Sequence, residues 1–165
     1  MKLLELQATL KQQEIDLLLL IHPDFNINYL AGVQSSFSIL QITQTSSTIL
    51  LSALDNLPLG HKIQTKVYKK TYKDDIKEQL KSVDSPKIAI NKSAISVKQF
   101  ESLEKEFPTT KWIDLSKELE ELRLTKTENE LKIMFKAAKI VDSALANFTK
   151  AYKRSNGKEF ETELD

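Results

Sequence analysis

A chain of 165 residues, 41% hydrophobic and 28% charged, suffices for one folded domain with an appended element and fits neither a disordered nor a membrane-spanning class. Its 24 basic and 23 acidic side chains leave a net charge of +1, so no global field draws it to nucleic acid or to a membrane surface. There is no cysteine, which excludes a disulfide framework, a thiolate metal site and a cysteine nucleophile; a cytoplasmic location is the expectation.

Leu3, Leu6 and Leu10 recur at helical spacing and predict an amphipathic helix from about Lys2 to Gln13. Glu5 interrupts the apolar start and no small-residue cleavage site follows, so this segment is not a signal peptide. The run Leu17 to Ile21, closed by His22-Pro23, reads as a strand covered on both faces; it is the longest apolar run and too short to span a bilayer. Asp24 to Gly32 reads as a short helix or turn. Phe37 to Ile42 and Thr48 to Leu51 form a hairpin by pattern, without the Asn-Gly turn that would mark it firmly. Asn56 to Gly60 is expected as a loop, and Ile63, Thr65 and Val67 as a strand with one wet face.

Ile76, Leu80 and Val83 give one stripe of a helix whose first turn carries Asp74 and Asp75, where the helix dipole favours them. Lys87 to Ile90 is another strand. Ser96 and Gln99 have capping-box spacing ahead of Phe100, Leu103 and Phe107, and Pro108 stops that helix. Trp112-Ile113-Asp114 makes a last strand, with Trp112 as core or edge anchor, before a helix through Leu119 and Leu122. The class is α/β: a mixed sheet of about six strands flanked by helices. Thr127 and Glu130 then cap a long helix striped by Leu131, Phe135, Ala138, Val141, Leu145, Phe148 and Tyr152, ended by Gly157. Such a stripe needs a cover, and a following domain is the expected one.

No reaction centre is legible. Only His22 and His61 could offer imidazole, and neither sits in a metal-binding pair. His22 falls at the carboxyl end of the first strand, where ligands bind in α/β sheets, yet a histidine before proline reads as a turn residue. Glu118, Glu120 and Glu121 read as a solvated helix face. Three glycines cannot build a phosphate-cradling loop. Six lysines against three acids between Lys66 and Lys81, with Tyr68 and Tyr72 interleaved, suggest a nucleic-acid stripe. The near absence of arginine favours a solvated edge instead.

Two stretches carry a resemblance. Asn26-Ile27-Asn28-Tyr29-Leu30-Ala31-Gly32-Val33 is similar to the Asn-x-x-Tyr-Leu-[Thr/Ser]-Gly-Phe segment of creatinases, prolidases and aminopeptidases P, with Ala31 and Val33 as departures. Leu122-Arg123-Leu124-Thr125-Lys126-Thr127-Glu128-Asn129-Glu130-Leu131, with Ala137-Ala138 and Ile140-Val141-Asp142 behind it, resembles the connection between the two domains of those enzymes. Gly157 to Leu164 looks like the opening of their next helix.

The resemblance implies a ribonuclease-H-like N-terminal domain over residues 1–122. Residues 123–165 would be the linker and first helix of a truncated pita-bread catalytic domain. It further implies a dinuclear Xaa-Pro peptidase in which two divalent ions (manganese, cobalt or zinc) are held by ligands downstream of Asp165, so that this chain alone is non-catalytic. Implied partners are its own catalytic domain, a second copy in a homodimer, and a proline-containing peptide. By position Gln34, Ser35, Ser36 and Phe37 match a loop that approaches the partner's active site, a short and neutral loop here. A plain connecting turn is the simpler reading of those four residues. A stand-alone, non-enzymatic peptide- or protein-binding module of the same fold, and a domain of a creatinase-like hydrolase, are the competing functions.

Overall fold

The computed structural model describes residues 2–33, 35–55, 63–68 and 71–155. The chain forms two compact units, Met1–Arg123 and Leu124–Asp165. The first holds α1 (Lys2–Gln12), β1 (Leu17–Ile21), α2 (Phe25–Ala31), β2 (Ser38–Ile42), β3 (Ser47–Leu51), β4 (Gln64–Val67), α3 (Tyr72–Leu80), β5 (Lys87–Ile90), α4 (Val97–Glu106) and β6 (Lys111–Asp114), and nearly all of α5 (Ser116–Leu124).

The six strands make one mixed sheet in the order β4-β3-β2-β1-β5-β6. β2 runs antiparallel to its neighbours β1 and β3, whereas β3 and β4, β1 and β5, and β5 and β6 are parallel. Five strands therefore point one way, and their carboxyl ends share one edge of the sheet. This is the mixed, six-stranded, helix-flanked architecture that the pattern of residues implies.

β1 lies centrally, and all five of its residues are buried. Because alternate side chains point to opposite faces, its apolar run serves two cores. Leu18 and Leu20 pack with Leu6, Leu10, Ile27, Leu40, Ile49 and Leu119 on the face covered by α1, α2 and α5. Leu17, Leu19 and Ile21 pack with Ile39, Leu50, Ile76, Ile88 and Leu103 on the face covered by α3 and α4. Each such leucine contributes about 1.5–3 kcal/mol by leaving water.

The β2–β3 hairpin, lacking Asn-Gly, is closed by hydroxyls. Thr43 Oγ1 accepts from Ser46 N at 2.9 Å and lies 2.8 Å from Ser46 Oγ. Gln7 Nε2 of α1 donates to the carbonyls of Thr43 and Ser46. In α4 the capping box between Ser96 and Gln99 is formed as expected. Two expectations need correction. Val83 lies past the end of α3, 37% exposed, with its N–H turned back to Leu80 O; the stripe is only Ile76 and Leu80. β4 begins at Gln64 and all four of its residues are exposed, because it is an edge strand; the buried residue, Ile63, precedes it.

In the second unit α6 (Glu128–Ser155) starts at the Thr127 cap: Thr127 N donates to Glu130 Oε2 and Glu130 N to Thr127 Oγ1. Leu131, Phe135, Val141, Leu145, Phe148 and Tyr152 are exposed along it. The expected loop at Asn56 to Gly60, His61, Gln34, and the segment from Gly157 onward lie outside the described residues.

Candidate functional site

The carboxyl edge of the parallel strands gathers most of the chemistry. At the end of β1 the chain turns through a cis His22–Pro23 peptide. Asp24 then caps α2, its Oδ1 accepting from Asn26 N and Asn26 Nδ2, both at 2.8 Å. From the end of β5, Asn91 Nδ2 donates to Asp24 Oδ2 at 2.9 Å, while Asn91 Oδ1 accepts from Ser93 N. Asp24, Asn26 and Asn91 are all buried. Burying a carboxylate is costly unless its lone pairs are met; three N–H donors meet them here. α2 ends at Gly32, whose φ of 66° is left-handed and whose N–H returns to Asn28 O. The Asn26 to Val33 motif thus builds a capped helix that carries the chain toward β2.

The loop ahead of β2 is fastened at one side. Ser36 donates from N and Oγ to the Asp55 carboxylate at 2.9 and 3.1 Å. Hydrogen bonding from Ser36 N, and further from Ser36 Oγ, Phe37 N and Ser52, holds the Asp55 carboxyl below the ordinary aspartate range against the opposing effect of desolvation. Phe37 is half-buried, 6.0 Å from the His22 ring and 6.1 Å from Tyr72 between ring centroids. Burial raises the Tyr72 phenol. His22 is a turn residue whose N donates to Ser38 O and whose O accepts from Gln99 Nε2 at 3.1 Å. Ser35 is half-buried, and its Oγ has no partner among the described residues.

Farther along the same edge, Asp114 closes β6. Burial would raise its pKa, but hydrogen bonds from Ser116 Oγ, Ser116 N and Lys92 N outweigh that and lower it. Trp112 on this edge strand stacks edge-on against Phe100 at 5.5 Å, as an edge anchor does. Phe25, 75% exposed, opens α2 just after β1, and Leu54, 90% exposed, stands on the loop that follows β3.

Three lysines of the stripe are paired. Lys66 binds Asp75 and Glu78, and Lys73 and Lys77 bind Glu106. Gln13 Nε2 reaches Glu118 Oε1 at 3.4 Å. Sequence reasoning missed Asp24, Asn91 and Asp55. For Asp24 the signal was an acid two residues before Asn26, the spacing of a side-chain cap; for Asn91 and Asp55 there was none. Among the described residues no three His, Cys, Asp or Glu converge to hold a metal ion. The described residues therefore include no ligand set for the two divalent ions that the resemblance implies. No described helix is long and apolar enough to cross a membrane.

A sheet of this order, with β2 reversed and a capped Tyr-Leu-x-Gly helix at its carboxyl edge, defines a mixed α/β class of domain. Residues 2–125 match the Creatinase/Prolidase N-terminal domain, and the chain belongs to that family. Among solved structures it is similar to the X-Pro aminopeptidase of Thermotoga maritima, at a TM-score of 0.76 and 19% identity over 84% of this chain and 41% of that one. It is also similar to the prolidase of Pyrococcus horikoshii, at 0.71 and 22% identity over 88% of this chain and 41% of that one. The Creatinase/Prolidase N-terminal domain of an X-Pro dipeptidase from Streptococcus pyogenes matches at 0.57 and 19% identity, over 72% of this chain and 96% of that one. These likenesses show the fold. The chain spans about two fifths of the length of the first two proteins. No curated protein sequence matches it significantly.

Proposed function

We propose that this chain is the non-catalytic N-terminal domain of a dinuclear, metal-dependent Xaa-Pro peptidase of the aminopeptidase P or prolidase type. The observation that carries the reading is the family match over residues 2–125, joined to a fold whose relatives include an X-Pro aminopeptidase and a prolidase of more than twice this length. Residues 123–165 belong, in this reading, to the linker and first helix of the catalytic domain, and two divalent metal ions are held there by residues beyond Asp165.

The domain's contribution is a second copy's docking face and a limit on substrate size. Two features support this. The loop of Ser35, Ser36 and Phe37 is fixed by Asp55 and wedged between His22 and Tyr72, so it can present a defined surface at little ordering cost. Phe25 and Leu54 expose apolar area at that same edge. A cytoplasmic homodimer acting on proline-containing peptides completes the proposal.

The test is the intact mass of the native product from its source cells, followed by assay on Xaa-Pro peptides with manganese. A product near 18.8 kDa sinks the proposal. A larger product whose Xaa-Pro hydrolysis requires a divalent metal, and which sediments as a dimer, supports it.

A further inference from the structure

A cavity of about 620 Å³ opens at the opposite edge of the sheet, between β2, β3, β4 and α3. Its lining includes Gln41, Leu50, Lys66, Asp75, Glu78 and Lys81. Gln41 is the unusual member: it sits in the middle of the sheet, opposite Leu19 and Thr48, and is 3% exposed. Its Nε2 has no hydrogen-bond partner among the described residues. A buried amide donor left unmet is costly, and native structures meet almost all of them. A ligand supplying an oxygen acceptor would meet this one.

The charges on the wall narrow the class. Two cations face two anions, so neither a simple anion nor a simple cation gains net attraction. Lys66 is committed to Asp75 and lies 3.8 Å from Glu78. Lys81 forms no ion pair among the described residues, and none joins it to Glu78. Glu78 and Lys81 are three residues apart, which puts them about 4.5 Å apart along the helix axis. An anionic and a cationic side chain one turn apart on the same wall, next to an unmet amide donor, complement a molecule carrying both charges.

We propose that this cavity binds a free α-amino acid, its carboxylate held by Gln41 and Lys81 and its ammonium by Glu78. The cavity is larger than one amino acid, and only Leu50 offers an apolar wall, so the two charged ends are recognised and the side chain is not. The inference rests on the cavity alone and stands or falls separately from the peptidase reading.

The experiment is an amide and side-chain NMR titration of the 165-residue chain with glycine and alanine, against acetate, methylammonium and glycerol. Expected are saturable shifts at the Gln41 side-chain amide and along 75–81 with both amino acids, at millimolar affinity. Gln41→Leu and Lys81→Glu should each weaken binding about tenfold or more. Gln41→Leu should also melt no lower than the parent, because it deletes an unmet donor. Lys81 is on the surface, so Lys81→Glu reads binding without threatening the fold. Equal shifts with acetate, methylammonium or glycerol, no saturable shift with either amino acid, unchanged affinity in Lys81→Glu, or a lower melting point for Gln41→Leu would each overturn the proposal.

Discussion

Asn91 Nδ2 donates to Asp24 Oδ2 at 2.9 Å, joining two residues 67 positions apart at the carboxyl ends of the parallel strands β1 and β5. The same carboxylate caps α2 through its other oxygen. One buried side chain therefore sets both where β1 stops and where the Asn26 to Val33 segment begins, and so where the loop of Ser35 to Phe37 emerges.

Replacing Asp24 by alanine should cost about 3 kcal/mol of unfolding free energy, combining a lost helix cap with buried amide donors left unmet. Asn91→Ala should cost about 1 kcal/mol, since Asp24 keeps its other two donors. The double variant should fall short of the sum by about 0.5 kcal/mol or more, as contacting residues in one network do. Urea midpoints of the four proteins settle it; strict additivity would show that the pair is not coupled.

Much of this frame is legible in the sequence because its causes are local. The Leu17 to Ile21 run announces a strand covered twice, and Ser96 with Gln99, like Thr127 with Glu130, announces a helix start through a three-residue spacing. The β2–β3 hairpin was visible only as two apolar runs, because its turn is held by Thr43, Ser46 and the distant Gln7 rather than by a turn dipeptide. Val83 misled because its spacing extends the stripe of Ile76 and Leu80, although α3 ends at Leu80. The site was harder. Ser36 and Asp55, or Asp24 and Asn91, come together only once the sheet is assembled. Gln41 is one polar letter in a strand, and nothing in its neighbours says that the amide is buried.

Gly32 closes α2 in the left-handed region, with nothing within 4 Å of where a Cβ would stand. Space is therefore no obstacle, and only backbone strain opposes a side chain. Gly32→Ala should destabilise by about 1–2 kcal/mol, and Gly32→Asn by less, because asparagine tolerates that conformation. A thermal melt in which alanine and asparagine are equal, or in which alanine costs nothing, would refute the strain argument.

Thr127 and Glu130 satisfy each other's backbone N–H at the start of α6. Thr127→Ala removes the hydroxyl acceptor and should cost about 1 kcal/mol of local helix stability. Hydrogen exchange should accelerate at residues 128–131 by about fivefold, while the amides of β1 stay unchanged. Equal acceleration in both places would mean that the cap supports the whole chain.

The Ser36–Asp55 link predicts a pH dependence of known sign. The folded pKa of Asp55 is depressed, mainly by the hydrogen bond from Ser36 N. Its contribution is therefore fully present above the ordinary aspartate pKa and is lost as pH falls through the lower, folded value. The carboxyl is solvent-facing, so the effect on global stability is small and the readout must be local. The Ser36 amide shift should titrate with a midpoint below the ordinary aspartate value, and Phe37 should lose order in the same step. Asp55→Asn should abolish that titration while leaving the core amides of β1 and β5 unmoved. A midpoint at or above the ordinary value would mean that Asp55 does not hold the loop in solution, and the fixed edge on which the docking proposal relies would go with it.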